Sequence, residues 1–202
     1  SASTVPDALL DIVHDRSAGN PLFIEELCRA LRDDGTIVTE GDTVRVTREW
    51  REINLPHSVE AVIRSRLDRL ELHALSTLRL ASVIGRFFGL SLLRRLTEAD
   101  RRISRSLSLL IGQELIQQVG QSSNVGYRFK HALTQLVVYE TLLFTQRQAL
   151  HERVGRAIAE LYADRIEEHL ETLAFHFEQS NNAREAAKYH VLPIENSRID
   201  RF

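Results

Sequence analysis

A mainly α fold with two small β-hairpins is predicted by three observations along this 202-residue sequence. Apolar residues recur at helical spacing through most of the chain. The pattern switches to strand-like alternation only near residues 36–46 and 114–130. Clusters of Gly, Pro, Asn and Ser separate the segments.

Taken in order, Ala8, Leu9, Ile12 and Val13 follow a Pro6-Asp7 start signal and predict a short amphipathic helix over 7–16. The next stretch, Gly19-Asn20-Pro21-Leu22-Phe23-Ile24-Glu25-Glu26-Leu27, organises the rest of the chain around it. Gly19 tolerates the sharp entry, Asn20 is suited to cap the first-turn amides, and Pro21 takes the first helical position, where its missing N–H costs nothing. Glu25 and Glu26 fall near the positive end of the helix dipole. The helix is expected to run to about Arg32 and stop at Asp34-Gly35. Ile37, Val38, Val44 and Val46 around Glu40-Gly41-Asp42 predict a hairpin, onto which Trp50 and Ile53 are expected to tuck, with Leu55-Pro56 extended.

From His57-Ser58 the residues Val59, Val62, Ile63, Leu67 and Leu70 form a core stripe, with Arg64, Arg66, Asp68 and Arg69 distributed around it. Helices are then expected over 72–85, 90–96 and 98–110, with Phe87-Phe88 extended between the first two. Glu114 to Val119 and Val125 to Lys130, joined by a polar turn, read as a second hairpin with Tyr127 and Phe129 on one face. Three helices followed by a two-stranded wing is the order of a winged helix. Helices are expected over 131–144, 147–162, 166–179 and 183–189, the last two joined like a helical repeat by Ser180-Asn181-Asn182. Pro193 ends or kinks the last of them.

Composition excludes several classes. Hydrophobic residues make up 43% and charged residues 27%, ordinary for a globular protein, and the net charge of −2 argues against a generally basic nucleic-acid-binding surface. The single cysteine, Cys28, allows no internal disulfide and reads as a small apolar residue suited to a reducing compartment, so a cytoplasmic location is expected. No apolar run approaches the roughly 20 residues of a membrane span. The sequence contains no methionine and is expected to begin inside a longer protein or to follow processing.

The chain lacks a G-x-x-x-x-G-K-[ST] loop, a G-x-G-x-x-G turn, an H-E-x-x-H helix and any paired-cysteine metal pattern. His169 and His176 lie two turns apart on one expected helix, yet no third ligand stands at a defined spacing, and no metal site is assigned. His131 falls where the wing hands over to a helix, a position at which imidazole and first-turn amides form an anion site or cap the junction. Arg94, Arg95, Arg101, Arg102 and Arg105 flank the expected recognition helix and offer a DNA-binding reading, diluted by Glu98, Asp100 and Glu114.

In series, these blocks resemble the carboxy-terminal part of the nucleotide-binding module of bacterial STAND-type signal-transduction ATPases, as fused to class III adenylate or guanylate cyclases or to transcription activators. The blocks are Gly19 to Leu27, Leu55-Pro56 to Leu70, Ala81-Ser82-Val83-Ile84-Gly85-Arg86-Phe87-Phe88, and Tyr127-Arg128-Phe129-Lys130-His131 through Leu143. Arg147, Leu150-His151 and Leu173-Ala174-Phe175-His176-Phe177 continue the likeness.

The resemblance implies a helical lid subdomain over 1–72, a winged-helix domain over 73–145 and the start of tetratricopeptide-like antiparallel helix pairs over 146–202. It places Pro21, with Asn20, near the adenine. Phe129-Lys130-His131 is similar to the winged-helix motif whose histidine senses the diphosphate of ADP, which carries that role to His131. The motif's aspartate position holds Ala132, a departure that bears on its internal hydrogen bonding. Arg66 is a candidate phosphate-sensing lid arginine.

ATP or ADP, with magnesium, is expected to be held in the parent protein mainly by a P-loop domain of the same chain. These residues alone are therefore expected not to hydrolyse ATP. The alternatives are a winged-helix DNA-binding regulator and a helical scaffold that binds a protein partner through its last helices.

Overall fold

A computed structural model describes residues 5–41, 43–47, 56–97, 100–120 and 125–191. The chain divides into two compact units, Ser1–Leu70 and Glu71–Phe202, and its described residues are mainly α-helical with small antiparallel sheets.

In the first unit, α1 (Asp7–Ser17) ends at Ala18, which is left-handed with φ 47°. Gly19 continues the turn at φ 76°, a conformation that glycine adopts without strain. The chain is thereby aimed into α2 (Pro21–Asp33), where Asn20 Oδ1 accepts hydrogen bonds from the Leu22 and Phe23 amides at 3.0 and 3.3 Å. Strands β1 (Ile37–Glu40) and β2 (Thr43–Val46) pair antiparallel, Ile37 opposite Val46, and the Asp34 carboxylate accepts from the Thr36 amide where α2 gives way to β1. The Ser58 hydroxyl caps α3 (Val59–Leu67) by accepting from the Ala61 amide. The positions expected for Trp50, Ile53 and Leu55 lie outside the described residues.

Helices α2 and α3 pack through Phe23, Leu27, Leu31, Val62, Ile63 and Leu67, all buried. An ion pair sits within that apolar contact. Glu26 and Arg66 are 1% and 3% exposed, and the guanidinium donates to the Glu26 carboxylate. Arg29 stands 3.7 Å from the same carboxylate and donates to Glu25 at 3.0 Å. Glu26 is thus part of the core, three residues from Phe23 on the same helix face, and it stands beyond the first turn of α2, where a dipole role would act.

The second unit runs α4 (Leu72–Ile84), β3 (Phe87–Gly89), α5 (Leu90–Leu96), α6 (Asp100–Gly112), β4 (Ile116–Val119), β5 (Gly126–Phe129) and α7 (Ala132–Glu140). Its sheet has the order β3-β5-β4, all antiparallel, with Phe88 opposite Tyr127 and Ile116 opposite Phe129. Phe88, Tyr127 and Phe129 cluster on the buried face with ring centroids 5.8 and 5.9 Å apart. On α6, Ile103, Ser106, Leu107 and Leu110 form the buried stripe at helical spacing.

Helix α8 (Phe144–Leu161) packs on α4 and α5, so the helices beyond it belong to the same compact unit. Ala163–His169 is a 3-10 helix, followed by α9 (Leu170–Gln179) and α10 (Ala183–Val191). Some boundaries differ from the sequence expectation. The helix expected over 131–144 stops at Glu140, because the Thr141 hydroxyl donates to the Val138 carbonyl and Arg147 donates to the Glu140 and Leu142 carbonyls. The helix expected from Ile166 begins as α only at Leu170, after Arg165 departs from helical geometry.

Helices α8 and α9 approach closely at Gly155, where an added Cβ would lie 3.0 Å from Phe177 Cζ. Phe177 is 2% exposed and its ring stacks on Tyr189, which leaves it little room to move. Gly155→Ala is therefore expected to lose about 1–3 kcal/mol through overpacking, more than the roughly 1 kcal/mol that alanine's helix propensity returns. A lower melting temperature is expected, and a higher one would mean that Phe177 yields. Glu26→Ala, by removing the buried carboxylate to which Arg66 donates, is expected to cost about 3–5 kcal/mol in urea unfolding. Breaking the exposed Arg95–Glu160 pair instead costs about 0–1 kcal/mol. Equal losses at the two pairs would contradict the placement of Glu26 in the core.

Candidate functional site

The four residues singled out in the sequence fall in both units. In the first, Pro21 occupies the opening position of α2 with its ring exposed, and Asn20 uses its side-chain oxygen on the amides behind it. Asn20 thus fixes the angle at which Pro21 is presented. Arg66 is buried and holds α3 to α2 through Glu26. Sequence spacing signals this placement, since Arg66 lies four residues from Val62 and three from Ile63, both fully buried.

In the second unit, His131 is the N-cap residue of α7, with extended backbone (φ −126°, ψ 140°). It comes two residues after β5, the central strand of the sheet, so its Cα is set by a strand paired along both edges. The residue is half-buried, with Nε2 closed to solvent. Lys130, beside it, donates to Glu114 at 2.6 Å. Backbone amides of a helix's first turn and an imidazole N–H are donors of a kind that suits a phosphate or another anion.

The arginines of the DNA-binding reading are drawn partly into the protein's own contacts. Arg95 on α5 pairs with Glu160 on α8, and Arg105 on α6 pairs with Glu71 at 3.0 Å. The Arg101 side chain and Glu98 lie outside the described residues. Cys28 is half-buried on α2, and burial pushes its thiol up from the usual value.

The histidines considered for a metal part company. His169 stacks on Tyr162 with centroids 4.2 Å apart, whereas His176 is buried and its Nδ1 lies 2.9 Å from Nδ1 of His151. The His151 Nε2 in turn meets the Tyr139 hydroxyl at 3.0 Å, and the Arg147 guanidinium lies 4.6 Å from the Tyr139 ring centroid. One ring must donate and the other accept in the Nδ1 contact, which a neutral pair of opposite tautomers satisfies and a doubly protonated pair does not. Burial, reinforced by Arg147, lowers the His151 pKa to about 4. Burial, reinforced by His151, lowers that of His176 to about 3. In the sequence Tyr139, Arg147, His151 and His176 stand in separate blocks that nothing local joins. Their connection spans α7, α8 and α9.

Residues 2–45 match a family model described as a domain of unknown function, DUF8739, a span that includes Gly19 to Leu27. An uncharacterized protein of Rhizobium meliloti (strain 1021) is 30% identical over 156 residues, 76% of this chain and 14% of that protein. The chain thus spans a small part of the length of this relative. Among the described residues no helix is long and apolar enough to cross a membrane.

The histidine pair makes stability depend on acid. Both folded pKa values lie below the ordinary value near 6.5, so the unfolded chain binds more protons as soon as the pH falls toward that value. The pair's contribution is fully present above about pH 6.5 and declines as the pH falls toward about 4 and then 3. His176→Phe should flatten that part of the profile of melting temperature against pH. An unchanged slope between about pH 6.5 and 4 would show that the pair does not carry it.

Proposed function

We propose that this chain is the regulatory part of a STAND-type ATPase, in which a helical lid and a winged helix sense the state of a nucleotide held by a P-loop domain elsewhere in the protein. The observation that carries the reading is the position of His131, at the N-cap of α7 and directly after the central strand of a three-stranded sheet. A rigid strand, an imidazole and the amino end of a helix are what a diphosphate sensor needs. The exposed, pre-set ring of Pro21 supports the same reading, since a flat apolar ring at a helix start is suited to stack against adenine.

In this reading Pro21 and His131 touch the nucleotide, while Asn20 and Arg66 act as positioning residues by fixing the start of α2 and its packing on α3. ADP holds lid and winged helix in one state, and exchange for ATP releases them, each nucleotide acting through its different contacts with the two states. Magnesium and the hydrolytic chemistry belong to the P-loop domain, and this chain relays the state to an output domain and to the helices beyond α8. A cytoplasmic protein fits the single Cys28.

In the longer protein carrying its P-loop domain, His131→Ala is expected to speed ADP dissociation about tenfold, the loss of roughly one charge-assisted hydrogen bond. Dissociation of a fluorescent ADP analogue provides the measurement. An unchanged rate and unchanged nucleotide content on purification would overturn the assignment.

A further inference from the structure

Apart from the residues assigned above, the second unit contains a cavity of about 580 Å³ bounded by α4, α6 and α8. That is room for a small organic molecule, within the usual range of ligand sites. Its walls are of two kinds. Leu80, Ile103 and Leu150 contribute apolar surface, and Arg79, Arg102 and Arg153 bring cationic groups from three helices. Among the described residues that line it there is no carboxylate.

Two of the three arginines are already oriented by neutral acceptors. Arg79 Nε donates to the Thr141 hydroxyl at 3.2 Å, and Arg153 Nη2 donates to the Leu96 carbonyl at 2.9 Å. Such bonds fix the direction of a guanidinium without neutralising its charge, which distinguishes these residues from Arg95 and Arg105, each paired with a glutamate. Three cations around a half-apolar cavity repel one another. The arrangement gains most from an anion that also covers the apolar wall.

We propose that this cavity binds an amphipathic organic anion, a carboxylate or phosphate head on an apolar body, with Arg79, Arg102 and Arg153 gathering the head. The proposal is independent of the nucleotide reading, because it uses neither Pro21 nor His131. It gives α8 a further role. A ligand seated there touches α4 and α6 of the sheet-bearing part together with α8, so occupancy stiffens the junction through which the last helices are attached.

Titration of the 202-residue chain with octanoate and octyl phosphate, followed by NMR, tests the proposal, with octyltrimethylammonium and inorganic phosphate as comparators. Saturable shifts confined to residues around the cavity are expected with one or both of the anionic amphiphiles, the preferred one identifying the head group. The cationic amphiphile should not bind there, and inorganic phosphate should bind about tenfold or more weakly, lacking the apolar contact. Arg102→Gln, at an exposed position, and Arg153→Gln should each weaken binding about tenfold. No saturable binding of either anion, equal binding of the cation, or unchanged affinity in both variants would overturn the proposal.

Discussion

Strand β5 is hydrogen-bonded along both edges, to β3 on one side and β4 on the other, and the second unit is arranged around that constraint. Its backbone groups are satisfied only if Phe87–Gly89 and Ile116–Val119 arrive together. The first requirement fixes the ends of α4 and α5, between which β3 is strung, and the second fixes the end of α6. The bond from the Phe129 amide to the Arg86 carbonyl and that from the Lys130 amide to the Leu115 carbonyl carry the pairing to the edge of His131. A residue so placed has little freedom of its own. This is why His131 is a stronger candidate for reading a ligand than a histidine on a loop of the same composition.

A second constraint joins α8 to α9. Gly155 lets the Phe177 ring lie against the α8 backbone, and the neutral His151–His176 contact, continued to Tyr139, ties both helices back to α7. Buried polar pairs of this kind contribute less through net energy than through the registers they exclude, since any slip strands a nitrogen in the apolar interior. Residues from three separated stretches thus meet in one network, which accounts physically for their presence without assigning them a ligand.

Much of the local structure was legible. The Asn20-Pro21 start of α2, the Ser58 start of α3 and the limits of α5 follow from capping chemistry and apolar spacing, which act within a few residues. The extended Phe87-Phe88 was visible as well, but its partner was not, because the pairing with β5 spans some forty residues of sequence. The break at 141–143 contains neither glycine nor proline and is enforced by Arg147 and the buried Leu142, both tertiary effects. Glu26 and Arg66 carried a readable signal that their charge obscured, for each occupies the apolar face of its helix. The candidate residues were named from the sequence, while the strands on both sides of β5 beneath His131 and the orientation of the cavity arginines emerged only with the fold.

The proposed function requires that the amino ends of α2 and of α7 each respond to nucleotide binding. Amide hydrogen exchange in the longer protein, with and without ADP, tests it most directly. ADP is expected to slow exchange at the first turns of both helices, around Leu22 to Ile24 and around Ala132 to Thr134. Protection confined to the P-loop domain, with both first turns unchanged, would contradict the account.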